Sequence, residues 1–407
     1  MLRRIARVVR AAVADRQLPK AARDEATRDE REGLYPDPGI DASVAAAARW
    51  LCVAQDRSRS SDGGVARHFS LVSGWATSYP ETTGYIVPTM LERADATGER
   101  DLESRALRML DWLVSVQMPS GGFPGGVVGA TPVSATTFNT GQILMGLAAG
   151  TTRFGDRYRR AMTDAADWLA DSQDPDGCWR RNASPFARSG DKVYDTHVAW
   201  GLLEAARADG KNERYAGAAL KNVDWALTKQ RANGWFGDNC LDDPSRPLTH
   251  TIGYAMRGIM EAYLYSRDAR YLDSVRRAAE GTLSALRPDG ALPGRLDASW
   301  KPAVPWVCLT GAVQIAHCWL LLHRETGDTR WRDAAYRVNA FVRRTVRMSG
   351  DPDVVGAVKG SYPVSGGYGR FEYLNWAAKF FIDSNVLEMA TRARDNATTN
   401  RPSLSAS

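Results

Sequence analysis

The sequence predicts an all-α protein, an (α/α)6 toroid built from six helical hairpins. Three observations predict this fold class: two sequence marks recur in phase, helical stretches of two kinds alternate, and short connections alternate with long ones. A chain of 407 residues exceeds the usual size of one domain, but a closed repeat fold of this length forms a single domain.

The first mark is the pattern W-x4-Q-x3-G-x-aromatic, which begins at Trp112, Trp168 and Trp225. Its glutamines stand 56 and 57 residues apart, and looser copies begin at Trp50 and end at Gly290. A fixed period of this length is the signature of a repeat architecture.

The second mark is a tight polar turn followed by a large side chain, and it keeps the same register. The large side chains are Leu102, Tyr158, Tyr215, Tyr271 and Trp331, spaced by 56, 57, 56 and 60 residues. Two independent marks in phase predict hairpins of equal size.

Each period holds two helical stretches of different character. The first is amphipathic and ends at the glutamine, as in DRYRRAMTDAADWLADSQ, which predicts an outer helix. The second is small and apolar nearly all round, as in NTGQILMGLAAG, which predicts a buried inner helix. The six inner stretches begin near Glu81, Asn139, Asp195, His250, Leu309 and Asn375.

Long, glycine-rich loops lead from each outer helix to the next inner helix, whereas the return turns are short. All six long loops therefore lie at one end of the toroid, together with the starts of the inner helices. We call this end the funnel, and we expect it to bind the ligand because long loops in compact domains are usually functional.

We expect the toroid to span residues 40–395. Residues 1–39 are predicted to form an amphipathic helix and a charged linker outside it, and residues 396–407 a disordered tail. Apolar residues at helical spacing alternate with arginines in residues 1–16, which fits either a helix packed on the toroid or peripheral association with an anionic membrane.

Composition narrows the function classes. A formal net charge of +6 and a pI of about 9.1 are mild for this length, and no nucleic-acid motif is present, so no nucleic-acid partner is expected. The five cysteines lack CxxC spacing, which predicts reduced thiols without zinc, and the first residues do not form a secretory signal. We expect a cytoplasmic protein with no metal and no cofactor.

Polar and aromatic residues gather where the inner helices start, and they form the predicted site. Candidate catalytic residues are Glu81, Tyr194, Asp195, His250, Tyr254 and Glu372. Candidate substrate-binding residues are Tyr79, Tyr85, Asn139, Trp179, His197, Trp235, Trp306, Tyr373 and Asn375. Helix capping is the alternative role for Asn139 and Asp195.

Two kinds of chemistry suit these groups. Glycoside hydrolysis needs two carboxyl groups, for which Asp195 with Glu81 or Glu372 are the candidates. Proton transfer beside a carboxylate, as in a uronate lyase or C5-epimerase, needs an acid and a base, for which the candidates are Tyr194, His197, His250 and Tyr254.

An acidic glycan is the predicted partner, because converging helix N-termini favour anions. Four arginines near the same loops support this prediction: Arg67, Arg180, Arg257 and Arg370.

Across residues 40–392 the period and layout resemble the six-hairpin glycosidase superfamily, which contains glycoside hydrolases, unsaturated uronyl hydrolases, polysaccharide lyases and epimerases. The segment Val193-Tyr194-Asp195-Thr196 resembles the acidic helix start of the unsaturated uronyl hydrolases. That resemblance implies a general acid/base role for Asp195, and the family's other acidic position falls on Asn139.

The tryptophan-glutamine pattern also resembles the repeats of squalene and other class II terpene cyclases, although the DxDD acid motif of those enzymes is missing. A terpene cyclase needs a wide, dry, aromatic cavity. A third class, a non-catalytic glycan-binding protein of polysaccharide biosynthesis, needs the same aromatic funnel without the chemistry.

Overall fold

The structure is a computed structural model that describes residues 18–399 except residues 130, 132 and 189. Thirteen α-helices and five short strands occur within these residues. The inner helices are α3 (Pro80–Thr97), α5 (Thr137–Phe154), α7 (Thr196–Ala208), α9 (Thr249–Ser266), α11 (Leu309–Thr326) and α13 (Asn375–Thr399). The outer helices are α2 (Ile40–Asp56), α4 (Arg100–Val116), α6 (Arg159–Ser172), α8 (Glu213–Leu227), α10 (Ala269–Ser284) and α12 (Thr329–Arg343).

The inner helices form a closed ring. Each of them contacts the next in chain order, and α13 returns to contact α3. Five outer helices pack on the inner helix that precedes them, and α2 packs on α13, so the two ends of the toroid complete the sixth hairpin. The predicted (α/α)6 toroid is confirmed, and every inner helix starts within two residues of its predicted position.

The glutamine of the first mark ties one outer helix to the next. The Nε2 amide of Gln173 donates to the Gly177 carbonyl at 3.1 Å and to the Ala218 carbonyl of α8 at 2.8 Å. The equivalent bonds of Gln55, Gln117 and Gln230 repeat this arrangement. A buried backbone carbonyl left without a donor costs about 1–3 kcal/mol, so the glutamine is required by the hairpin geometry.

The glycine of the same mark allows the loop to touch the next outer helix. Gly177 has a φ of +97°, and a Cβ at this position lies 2.4 Å from the Lys221 carbonyl oxygen of α8. Both the backbone conformation and the close approach exclude other residues here.

The second mark ties the outer helices together at the opposite end. The Tyr215 hydroxyl, at the start of α8, donates to Asp167 of α6 at 3.1 Å, and Tyr271 donates to Asp224 at 3.0 Å. The polar turns before Tyr215, Tyr271 and Trp331 also cap their helices, as where the Asn212 side chain accepts from backbone N–H groups of α8.

Small residues let the inner helices approach closely. A Cβ on Gly201 of α7 lies 2.2 Å from the Gly141 carbonyl oxygen of α5, and a Cβ on Gly258 of α9 lies 2.1 Å from the Thr196 carbonyl oxygen of α7. The ring is therefore narrow, and its axis is filled by side chains.

Short strands shape the rim of the funnel. Strands β1 (His68–Ser70), β2 (Gly74–Trp75) and β5 (Glu372–Leu374) form an antiparallel sheet in the order β2-β1-β5, with His68 opposite Leu374. Strands β3 (Val307–Cys308) and β4 (Ser361–Tyr362) form a second antiparallel pair. The sheet brings loops from the two ends of the chain to one side of the funnel.

A further helix, α1 (Lys20–Arg31), packs against the segment between α12 and α13. The buried Lys359 ammonium lies 2.5 Å from Glu25 and 2.6 Å from Asp29 of α1, and Arg347 also pairs with Glu25. Paired carboxylates of this kind hold α1 on the toroid.

The predicted organisation differs from the structure at two places. Residues Lys20–Arg31, which fall in the predicted charged linker outside the toroid, form helix α1 and pack on the toroid. Helix α13 runs to Thr399, four residues past the predicted boundary at 395. The predicted amphipathic helix of residues 1–16, and residues 400–407 of the predicted tail, lie outside the described residues.

No described helix combines the length and apolarity needed to cross a membrane. The five cysteines are free thiols, as their spacing predicts.

Substitution of Gly201 tests the close approach of the inner helices. We expect Gly201→Ala to lower the free energy of unfolding by about 1–3 kcal/mol, because its Cβ overlaps the Gly141 carbonyl. Gly217→Ala on the outer helix α8 is the matched control, since no atom lies within 4 Å of its Cβ position. That control should gain up to about 1 kcal/mol from helix propensity. Urea unfolding measures both, and equal effects at the two sites would contradict the narrow ring.

Candidate active site

A cavity of about 140 Å³ lies on the toroid axis at the funnel end. Six predicted site residues line it: Tyr79, Glu81, Tyr85, Tyr194, His250 and Tyr254. Eight further residues complete the lining: Arg67, Thr82, Phe138, Ser184, Phe186, Leu241, Tyr368 and Trp376. Most come from the first turns of inner helices or the loops before them, so the toroid itself builds the cavity.

Glu81, in the first turn of α3, carries the one carboxyl group that lines this cavity within the described chain. Its Oε2 accepts a hydrogen bond from the Tyr79 hydroxyl at 3.0 Å. Burial raises the pKa of Glu81 to about 7, against the opposing effects of the Tyr79 hydrogen bond and the positive charge of Arg67. A carboxyl group with such a pKa can both give and take a proton near neutral pH.

Tyrosine hydroxyls surround this carboxyl group. Burial raises the pKa of Tyr79, Tyr85, Tyr194, Tyr254 and Tyr368 well above the usual value, and the negative charge of Glu81 raises each of them further. These side chains are therefore protonated hydrogen-bond donors, and none of them is an ionised base in the free protein.

His250 contributes a neutral imidazole from the first turn of α9. Its Nδ1 donates to Gln314 Oε1 at 2.7 Å, which leaves Nε2 as the unprotonated nitrogen. Burial lowers the pKa of His250 to about 4, with the Gln314 hydrogen bond opposing the shift. Because α3 and α9 are three places apart in a ring of six, Glu81 and His250 enter the cavity from opposite sides.

Tyr254 lies between two imidazole rings. The ring centres of His197 and His250 are each 4.3 Å from the centre of the Tyr254 ring. His197 itself lies below the cavity, where its Nδ1 donates to Gln142 Oε1 at 2.6 Å. These two ring contacts hold Tyr254 beside His250.

Arg67 is the one cation in the cavity lining of the described chain, and no carboxylate lies within ion-pair distance of it there. Its guanidinium lies 5.3 Å from the Trp376 ring centre and 5.7 Å from that of Tyr79, and it also contacts His68 Nδ1 at 3.1 Å. An unpaired guanidinium among aromatic rings favours an anionic group on the ligand.

Two predicted catalytic carboxylates do not line the cavity, which corrects the prediction made for them. Asp195 is buried behind Tyr194 at the end of a 3-10 turn (Val193–Asp195), and burial raises its pKa to about 7. Its Oδ1 has no hydrogen-bond partner within the described chain. Glu372 lies on strand β5, where its Oε1 is 3.7 Å from His68 Nε2.

Two predicted binding residues support the inner-helix starts instead of facing the cavity. Asn375 donates from Nδ2 to the Ala66 carbonyl and to Thr82 Oγ1, at 3.0 and 2.8 Å. Asn139 donates to the Pro124 carbonyl at 3.2 Å. Neither Asn139 nor Asp195 provides a side-chain N-cap, so the capping alternative does not hold for them.

The remaining predicted aromatic residues pack inside loops. Trp306 lies against Gly294, Gly366 and Gly367, where it supports the loop that carries Tyr368. Tyr373 is buried next to Phe69 in the rim sheet. Trp179 donates to the Leu169 carbonyl at 2.9 Å, and Trp235 packs edge-on against Trp300. None of these four residues lines the cavity, and a sugar-binding role for them stays a prediction.

Tyr368, Trp376 and Phe186 are the main cavity residues that sequence reasoning missed. Tyr368 and Trp376 belong to the last hairpin, whose loop lacks the repeat motif. Trp376 Nε1 donates a hydrogen bond to the Tyr368 hydroxyl at 2.9 Å. The only signal in the sequence is that Trp376 follows the predicted residue Asn375 directly.

Arg257, predicted to be near the funnel, lies at the opposite end. A separate cavity of about 550 Å³ opens there, and it is lined by Arg257, Glu261, Glu204 and Arg207 among others. Arg257 pairs with Glu261 of its own inner helix, and Arg207 pairs with Glu204 in the same way. Each of these four charged side chains therefore has an oppositely charged partner on its own helix.

The described part of the chain contains no group of three or more His, Cys, Asp or Glu side chains arranged to hold a metal ion.

The raised pKa of Glu81 predicts a pH-dependent stability. Folded Glu81 holds its proton up to about pH 7, but the unfolded side chain loses it near 4.5, so stability falls as the pH rises between these values. Glu81→Gln removes this loss and should therefore gain stability over wild type, by up to about 3 kcal/mol, as the pH rises from 5 to 8. Thermal unfolding of both proteins across this range measures the gap. A gap that stays constant with pH would show that Glu81 is not buried as described.

A family model described as "Squalene-hopene cyclase C-terminal domain" matches residues 79–263, less than half of the chain. The matched region contains the three W-x4-Q-x3-G segments, which tie outer helices together in this structure.

Solved structures share the fold at low sequence identity. An unsaturated glucuronyl hydrolase described as specific for heparin is 14% identical, with a TM-score of 0.70 over 87% of this chain and 98% of that chain. An unsaturated glucuronyl hydrolase from Bacillus sp. GL1 is 17% identical, with a TM-score of 0.65 over 85% and 95%. A cellobiose 2-epimerase from Bacillus thermoamylovorans B4167 is 12% identical, with a TM-score of 0.67 over 85% and 98%. The chain therefore shares the (α/α)6 toroid fold with these structures.

Proposed function

We propose that this protein is a carbohydrate-active enzyme that binds one acidic sugar unit in the funnel cavity and transfers a proton at one of its carbon atoms. Glu81 and His250 are the proposed acid and base. The observation that carries the proposal is their position on opposite sides of a small cavity with no second carboxyl group in its described lining.

The cavity suits a sugar. Its volume of about 140 Å³ holds roughly ten waters, or about one monosaccharide ring. Aromatic rings of Tyr79, Phe138, Tyr194 and Trp376 offer faces to the apolar C–H surface of a sugar, while the tyrosine hydroxyls donate hydrogen bonds to its oxygens. Solved neighbours of the same fold, named as glucuronyl hydrolases and as a sugar epimerase, support a carbohydrate substrate.

Arg67 provides the recognition of a carboxylate. A uronate bound to its guanidinium places the carbon next to the carboxylate between the two sides of the cavity. Removal of a proton from that carbon moves negative charge onto the carboxylate, where Arg67 stabilises it. The unprotonated Nε2 of His250 accepts the proton, and the protonated Glu81 carboxyl group donates one from the opposite side. Return of a proton to the opposite face inverts the carbon, and loss of the neighbouring substituent gives a lyase.

Hydrolysis with two carboxyl groups is not supported, because Asp195 and Glu372 lie outside the cavity. A terpene cyclase is also not supported, since the cavity is small and carries a carboxyl group, a guanidinium and an imidazole. One hydrolytic alternative is supported by the raised pKa of Glu81. Hydration of an unsaturated uronyl unit needs a single proton donor, and a carboxyl group with a pKa of about 7 provides one.

Incubation of uronate-ended oligosaccharides in D2O separates these reactions. Epimerisation should add one deuterium to the recovered sugar without other change in mass, and a lyase should create the ultraviolet absorbance of an unsaturated uronate. Hydration of an unsaturated substrate should remove that absorbance and leave deuterium on carbon. Absence of deuterium, absorbance change and cleavage on all such substrates would overturn the proposal.

Amide substitution tests the acid/base group. We expect Glu81→Gln to lower kcat by about 10²–10⁴-fold, because an amide cannot transfer the proton. Asp195→Asn is the matched control: it also replaces a buried acid whose pKa is raised to about 7, but one outside the cavity. The control should keep its kcat within a few-fold of wild type. The opposite ranking of the two variants would assign the chemistry to Asp195.

Replacement of Arg67, the cation in the cavity lining, tests whether the substrate is acidic. Arg67→Gln should raise KM for a uronate substrate about 10–100-fold, the loss expected for one charge-assisted hydrogen bond, with a smaller effect on a neutral sugar of the same size. Arg180→Gln is the control, because Arg180 lies outside the cavity and pairs with Asp174, Asp176 and Asp191. Equal effects on acidic and neutral sugars would remove Arg67 as the carboxylate contact.

A further inference from the structure

Phe186 forms part of the boundary between the cavity and solvent. Its side chain lines the cavity, yet 55% of the residue is exposed. One part of the ring therefore faces the bound ligand while another part faces water.

The loop that carries Phe186 is attached to its surroundings at both ends. The Thr137 N–H donates to the Asn182 carbonyl at 2.9 Å, and the Arg188 N–H donates to the Leu241 carbonyl at 3.1 Å. Between these bonds Pro185 rests on the neighbouring loop, where a Cβ on Gly125 lies 3.1 Å from its Cδ. Phe186 is thus a fixed wall of the cavity.

The ring lies on the same side as the cation. The Arg67 guanidinium carbon is 6.0 Å from the Phe186 ring centre. The ring centres of Tyr79 and Trp376 lie 5.7 and 5.3 Å from the same guanidinium carbon. A sugar whose carboxylate contacts Arg67 is therefore next to Phe186, and a second sugar attached on that side meets the ring.

We infer that Phe186 is a specificity-determining residue that restricts the cavity to a uronate unit at the end of a glycan chain. The inference rests on the proposed function, since it assumes that a uronate occupies the cavity. A sugar flanked on both sides cannot fit in about 140 Å³ beneath this ring. The enzyme accordingly acts on chain ends or single units and not within a polymer.

Binding measurements test the inference without requiring turnover. Isothermal titration compares a disaccharide with the uronate at its non-reducing end with a trisaccharide that has the uronate in the middle. Wild type should bind the disaccharide about 10–100-fold more tightly, the cost of overpacking by one group. Phe186→Ala should tighten trisaccharide binding and bring the two affinities within a few-fold of each other. Phe186→Trp, a larger ring, should keep or widen the difference.

Val127→Ala is the matched control, because Val127 is an exposed apolar residue on the adjacent loop that does not line the cavity. It should reproduce the wild-type preference. If wild type binds both sugars equally, or if Phe186→Ala weakens both equally, the inference is overturned while the proposed function stands. If wild type binds neither sugar, the proposed function fails and the inference fails with it.

Discussion

Hydrogen bonds between consecutive outer helices hold the toroid together, and the position of every funnel residue depends on them. At the funnel end, Gln173 joins its own loop to the next outer helix through two carbonyl groups. At the other end, Tyr215 reaches back to Asp167 of the preceding helix. The junctions α4–α6, α6–α8 and α8–α10 are thereby each fixed at two points, which sets the angle between these hairpins.

Closure places six helix starts around one axis and makes the cavity small. The close approach of α5 and α7 at Gly141 and Gly201 leaves little room on the axis, so side chains from opposite helices meet there. The Glu81 carboxyl group is desolvated as a result, and this desolvation raises its pKa to about 7. The same desolvation keeps His250 neutral and the tyrosines protonated. One geometric constraint thus creates the acid, the base and the hydrogen-bond donors.

The two ends of the axis differ in how their charges are satisfied. At the opposite end, Arg257 and Glu261 form an ion pair along one inner helix and need no further partner. At the funnel end, Arg67 lacks a carboxylate partner within the described chain and is surrounded by aromatic rings. Binding of an anion at Arg67 supplies the missing charge, which is why the funnel end is the proposed site although its cavity is the smaller one.

The sequence by itself determined the architecture, because the glutamine hydrogen bonds and polar turns that build a hairpin are local features and recur with the period. The repeated glutamines each join one hairpin to its neighbour, as the bonds of Gln117, Gln173 and Gln230 show. Their spacing therefore reveals both the repeat and the contact between consecutive hairpins. The polar and aromatic starts of the inner helices likewise predicted where the cavity lies, and they placed Glu81, His250 and Tyr254 in it.

Only the tertiary structure decided which of those residues face the cavity. Asp195 and Glu81 both stand at inner-helix starts, but the 3-10 turn before α7 directs Asp195 behind Tyr194. Phe186 and Tyr368 enter from loops without any repeat, and no local pattern shows which way a loop folds over the axis. Side-chain direction at a helix start depends on the turn that precedes it and on the ring that surrounds it, and both are fixed when the toroid closes.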